Sequence, residues 1–168
     1  MANTQLVVFE LAGNEYGFDA FTVNGILRAK KFNIQKIPGL PIYIEGVIQL
    51  RGKVSYIFNL KTKLGIEDDD ICAESKFIMI NIGENIAGCI VDEVTDIVSF
   101  DTKDIQLPPS FVKKDAISYM KGIGRIEDRM VVLLNPEKVI TLAECFNIDK
   151  INDAVSSLAA ANASSIQE

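Results

Sequence analysis

The chain repeats itself, and that repeat limits what it can fold into more than any other feature. A shift of 71 residues places Leu6-Val7-Val8-Phe9 on Phe77-Ile78-Met79-Ile80, Asn14 on Asn85 and Gly17 on Gly88. The same shift carries Val23 to Val94, Ile26 to Ile97, Ile34-Gln35 to Ile105-Gln106 and Pro38 to Pro109. The loop after Pro109 is then five residues longer, and a shift of 76 places Tyr43 on Tyr119, Gly46 on Gly122, Ile57-Phe58 on Leu133-Leu134 and Asn59 on Asn135. Register kept over strand, turn and strand implies two copies of one unit. Each copy reads as about five short strands and one helical turn, with Gly and Pro at the breaks. Strands this short and apolar leave sticky edges that closure removes, and a half of about 70 residues is marginal alone. The expectation is two small antiparallel barrels packed with pseudo-twofold symmetry, with a groove between them as the natural binding surface.

Within the first copy, Gly46 to Leu60 is two apolar runs meeting at Arg51-Gly52-Lys53. Branched and aromatic residues favour strands on both sides, and Gly52 allows the positive φ of a tight hairpin. A cation is thereby held at the tip of a rigid ribbon. The corresponding corner of the second copy is Glu127-Asp128-Arg129, so the isolated Arg at position 51 is not duplicated. Its planar fork suits a partner interface. Arg28, Lys30 and Lys31 read as a solvated strand edge, and Glu67-Asp68-Asp69-Asp70 as a linker lacking the alternation of a calcium loop. Asn147 caps an expected helix whose apolar stripe is Ile148, Ile151, Val155 and Leu158.

Chemistry is hard to place on this chain. It contains no histidine, the commonest general base and metal ligand near neutrality. Cys72, Cys89 and Cys145 have neither disulfide nor zinc spacing and read as thiols in a reducing cytoplasm. No phosphate-cradling glycine loop is present; Gly122-Ile123-Gly124-Arg125 is too short and lies between strands. A net charge of −6 disfavours nucleic acid and anionic lipid surfaces, and no segment has the length of a membrane span or the character of a signal peptide. No catalytic residue, metal or cofactor is expected. The remaining class is an interaction surface, with a small-ligand site in the inter-barrel groove as the alternative.

Gly46-Val47-Ile48-Gln49-Leu50-Arg51-Gly52 resembles the Gly-Val-x-Asn-Leu-Arg-Gly signature of the CheW family of chemotaxis adaptors. Glu15-Tyr16-Gly17-Phe18-Asp19, Pro41 and Tyr43 are similar to its first half; Val91 to Ile97, Tyr119 to Gly122 and Asp128 to Asn135 are similar to its second. The resemblance implies a mainly β fold of two intertwined five-stranded SH3-like barrels plus a C-terminal α-helix. It divides the chain into a CheW-like region, 1–146, and a helix and tail, 147–168. Residues 15–65 are expected in one barrel and 77–142 in the other, with strand 5–11 free to complete either. It further implies a non-enzymatic cytoplasmic scaffold linking chemoreceptor tips to the regulatory domain of the histidine kinase CheA at membrane-associated arrays, without direct membrane contact. Val23, Ile26 and Gly46 would belong to the kinase side, and Leu50, Arg51 and Gly52, with the inter-barrel groove near Leu50, to the receptor and coupling side. Four positions depart from the family pattern: Gly25 stands where Glu is typical, Gln49 where Asn is usual, and Tyr56 and Asn59 where Pro and Asp usually follow the corner.

Overall fold

A computed structural model describes residues 3–66, 74–83, 85–107 and 119–140. The acidic linker 67–70, the loop after Pro109, Cys72, Cys145 and the expected helix at 147–168 lie outside the described residues. Eleven strands are found among those described. In the first half they are β1 (Asn3–Leu11), β2 (Asn14–Asp19), β3 (Val23–Arg28), β4 (Ile44–Leu50) and β5 (Lys53–Asn59). In the second they are β6 (Lys76–Ile82), β7 (Asn85–Val91), β8 (Glu93–Asp101), β9 (Ile105–Gln106), β10 (Met120–Ile126) and β11 (Arg129–Leu134). The helical turns α1 (Leu60–Lys63) and α2 (Pro136–Val139) follow β5 and β11. Asn59 and Asn135 cap them alike: the Asn59 side chain accepts from the Lys61 and Thr62 amides, and that of Asn135 from the Glu137 amide.

The fold is mainly β, as expected, but the two sheets cut across the two halves of the sequence. One sheet has the order β3-β6-β7-β5-β4, and the other β8-β1-β2-β11-β10-β9. Each half gives its first hairpin away: β1–β2 joins the second-half strands and β6–β7 joins the first-half strands. The division into 15–65 and 77–142 therefore does not describe the sheets, and strand 5–11 completes the second one. The donated hairpins dock through parallel pairs, Ile57 opposite Gly88 in one sheet and Leu133 opposite Gly17 in the other.

The physical reason lies in the apolar runs of β1 and β6. A strand covered on one face alternates, whereas one buried on both faces is apolar throughout. Leu6 and Val8 point into a core with Phe100, Val131 and Leu133, while Val7, Phe9 and Leu11 point into the larger core between the sheets. Phe77 and Met79 do the same with Ile48, Ile57 and Ile90, and Ile78, Ile80 and Ile82 enter the shared core. Exchange places both runs where each face has something to cover it. The crossing after β7 is pinned by Asp92, whose carboxylate accepts from the Ala12 amide at 2.7 Å and pairs with the Lys61 ammonium at 2.7 Å, Lys61 being only 2% exposed.

Both sheets curl toward closure by the same device. After β3, a 3₁₀ turn at Ala29–Lys31 leads to Gln35, which exchanges backbone hydrogen bonds of 2.8 and 2.9 Å with Val47 on the far edge strand β4. After β8, the turn Thr102–Asp104 leads to β9, which pairs with β10. One continuous segment thus reaches both edges of each sheet, giving a five-stranded and a six-stranded barrel-like unit. The close approach needs glycine. A Cβ on Gly46 (φ 153°) would lie 2.3 Å from the Gln35 carbonyl oxygen, and one on Gly122 (φ 156°) would lie 2.5 Å from that of Gln106.

Candidate interaction surface

All six residues singled out from the sequence fall on the five-stranded unit. Arg51 and Gly52 form the two-residue turn between β4 and β5, with φ of 52° and 78°. Two successive left-handed residues match the twist of the ribbon, and Gly52 adopts this without the Cβ cost that Arg51 bears. Leu50, opposite Lys53, is half-buried against the core of the unit. The corner is therefore rigid at its base, with the Arg51 side chain exposed beyond it. Val23 and Ile26 lie on edge strand β3; Val23 packs partly against the shared core and Ile26 is 37% exposed. Gly46 is buried under the Gln35 backbone and presents no side chain. Its part in any partner surface is to let the barrel close.

The two units differ most at the mouth beside this hairpin. In the six-stranded unit, Arg129 donates through Nε to Glu15 at 3.1 Å and through Nη1 to Asp96 at 2.9 Å. Arg129 hydrogen-bonded to Asp96 holds that carboxyl below the usual carboxylate range, and the two carboxylates push the guanidinium further up. The registers correspond strand for strand: Ile126 opposite Arg129 matches Leu50 opposite Lys53, and Asp96 opposite Val8 matches Gly25 opposite Met79. The positions equivalent to Glu15, Asp96 and Arg129 are thus Ile86, Gly25 and Lys53. One mouth is plugged by an ionic triad, whereas the other holds an apolar side chain, open space and a lone cation. The hydrophobic pattern alone concealed this, because it marks only which strands correspond.

The groove between the units lies elsewhere. A cavity of about 440 Å³ is lined by Tyr16, Thr62 to Ile66, Tyr119, Met120, Val132 and Leu134. None of the six predicted residues lines it, and Leu50 faces the barrel core instead. The lining contains no carboxylate and is largely apolar, its polar groups being those of Tyr16, Thr62, Lys63 and Tyr119. Sequence reasoning missed Leu64, Ile66 and Met120 here; the apolar residues flanking α1 and opening β10 were the available signal. Among the described residues no cluster suited to a metal ion is present. Cys89 is fully buried, which pushes its thiol far up and leaves it inert. No helix among the described residues is long and apolar enough to cross a membrane.

Comparison with known proteins bears on the whole assembly. A family model described as CheW-like domain matches residues 5–144. The chemotaxis protein CheW of Klebsiella aerogenes is 29% identical over 147 residues, covering 88% of this chain and 87% of its own. The chemotaxis protein CheW of Bacillus subtilis is 29% identical over 136 residues, covering 81% and 86%. The crystal structure of a scaffolding protein, TtCheW of Thermoanaerobacter tengcongensis, superposes with a TM-score of 0.76 at 31% identity, covering 86% of this chain and 92% of that one.

Proposed function

The chain belongs to the CheW family of non-enzymatic chemotaxis scaffolds, and we propose that it couples methyl-accepting chemoreceptors to the histidine kinase CheA in the cytoplasm. The observation that carries this reading is a division of surfaces on one body. The five-stranded unit presents Val23 and Ile26 on edge strand β3 and, at the other end of its strand order, the Arg51 corner between β4 and β5. An adaptor needs two such surfaces, because one partner must stay bound while the other changes state. The shared core, the largest of the three, makes the body rigid. A receptor rearrangement then reaches the kinase as a change in relative geometry and biases its equilibrium. Each contact can be weak, since an array supplies multivalency.

In this reading Val23, Ile26 and the barrel closed by Gly46 belong to the kinase side. Leu50 sets the base of the corner, Gly52 its turn, and Arg51 makes the coupling contact. The test is a pull-down with purified kinase regulatory domain and a receptor-tip fragment, separately and together. The reading predicts a ternary complex. Binding to neither partner refutes it.

A further inference from the structure

One strand pair is filled differently in the two units. In the five-stranded unit Phe77 lies opposite Ile90, both almost wholly buried, and Phe32 packs on the Phe77 ring at 6.0 Å. That end of the unit is closed by apolar side chains. In the six-stranded unit the matching pair is Leu6 opposite Asp19. Leucine in place of phenylalanine removes bulk, and aspartate in place of isoleucine brings a carboxylate beside the core. A partly buried charge where an apolar side chain fits lowers stability, so packing gives no reason for the difference.

The space left is a cavity of about 110 Å³ with an apolar floor and a polar rim. Leu6, Phe100 and Leu133, which belong to the unit's core, form the floor; Thr4, Asp19, Thr102 and Lys121 form the rim. Lys121 donates to Asp19 Oδ2 at 2.9 Å, which commits one of its three ammonium protons. Asp19 Oδ1 is buried and accepts no hydrogen bond from the described residues. The terminal torsion of aspartate is soft, so the carboxylate can turn to keep Lys121 on one oxygen and offer the other to the cavity. A carboxylate and an ammonium with capacity left, side by side over an apolar floor, are the convergent polar groups of a small-molecule site.

We propose that this cavity binds a small zwitterionic amino acid, its ammonium donating to Asp19 and its carboxylate accepting from Lys121. Neutrality selects the class. Asp19 and Lys121 already balance one another, so a zwitterion adds no net charge. A lone amine or a lone carboxylate would leave one charge uncompensated in a partly buried place. Size selects the member. The cavity has room for about four water volumes, which suits glycine, alanine or serine and rejects an aromatic side chain. The short side chain rests on the floor at Leu6 and Leu133. The site is built by the six-stranded unit alone and does not depend on the coupling reading above.

The experiment titrates the isotope-labelled full chain, followed by NMR, with glycine, L-alanine, L-serine and L-phenylalanine to about 50 mM, well past a millimolar Kd. The three small amino acids are expected to move the amides of Leu6, Asp19, Thr102 and Lys121 and to leave those of the β4–β5 hairpin in place. Phenylalanine is expected to move none of them. Methylamine and acetate, which carry the two charged groups separately, are expected to bind about tenfold more weakly than alanine or worse. Asp19→Asn and Lys121→Met are each expected to weaken alanine binding by about tenfold or more. Lys53→Met, on the other unit, is expected to leave it within about twofold. Circular dichroism confirms folding; the Lys121 side chain is 44% exposed, so Lys121→Met tests the site even if Asp19→Asn fails to fold. Absence of shifts with all three small amino acids overturns the proposal. So does alanine binding equally well to wild type and Lys121→Met. Methylamine or acetate binding as tightly as alanine overturns it in favour of a site for a single charge.

Discussion

Substituting Gly46 by alanine should open the five-stranded unit, and the cost can be worked from the geometry. At φ 153° the backbone lies in a region open essentially to glycine alone, which costs another residue about 1–3 kcal/mol. The added Cβ would sit 2.3 Å from the Gln35 carbonyl oxygen and 2.8 Å from Ile34 Cγ2, so the 34–35 segment must retreat by about an ångström to reach ordinary contact. That retreat breaks the hydrogen bonds of 2.8 and 2.9 Å between Gln35 and Val47, each contributing about 0.5–1.5 kcal/mol. The total is about 2–6 kcal/mol, or a fall in Tm of roughly 4–24 °C for a chain of this size. Gly122→Ala should cost a similar amount, because its Cβ meets Gln106 at 2.5 Å at φ 156°. Gly25→Ala, in open space with ordinary backbone, should change stability by no more than about 0.5 kcal/mol. Thermal and urea unfolding followed by circular dichroism decide the matter. A Gly46→Ala protein melting within a degree or two of wild type would refute the claim that this glycine closes the barrel. Loss of stability together with loss of kinase binding would mean that Gly46 acts through closure.

Two further perturbations follow from the same geometry. Arg51 occupies a left-handed conformation at φ 52° that asparagine tolerates better, so Arg51→Asn should raise stability by up to about 1 kcal/mol while impairing receptor control; unfolding and kinase assays on one preparation check both halves. Asp96 has its folded pKa lowered by Arg129, so its contribution is present above the unfolded value of about 3.9 and is lost as pH falls through the folded one. Arg129→Met should therefore show a shallower loss of urea midpoint between pH 5 and pH 3 than wild type, and an unchanged slope would show that the triad does not govern that limb.

The fold was legible where residue type alone dictates it. The 71- and 76-residue shifts located every strand pair that later proved equivalent, and Gly46 and Gly122 proved to be one structural device used twice. Hairpin exchange was not legible, because a repeat states which segments are alike and not which copy they pair with. The unbroken apolar runs at Leu6 and Phe77 carried the hint, since a strand covered on one face would alternate. The hairpin corner at Arg51 and Gly52 was legible, because two apolar runs meeting at a glycine dictate a tight turn. The groove was not, because Tyr16, Leu64 and Tyr119 meet only through the exchange.

Receptor control of kinase activity is the output that the scaffold's two partner contacts serve. Arrays reconstituted from receptor, kinase and either wild-type adaptor or Arg51→Glu should be compared for kinase autophosphorylation with and without attractant, each adaptor first shown to be folded. Wild type is expected to confer attractant-dependent control, and Arg51→Glu, although folded, to lose most of it. Full control with Arg51→Glu would contradict the role of the hairpin corner, and no control with wild-type adaptor would contradict coupling itself.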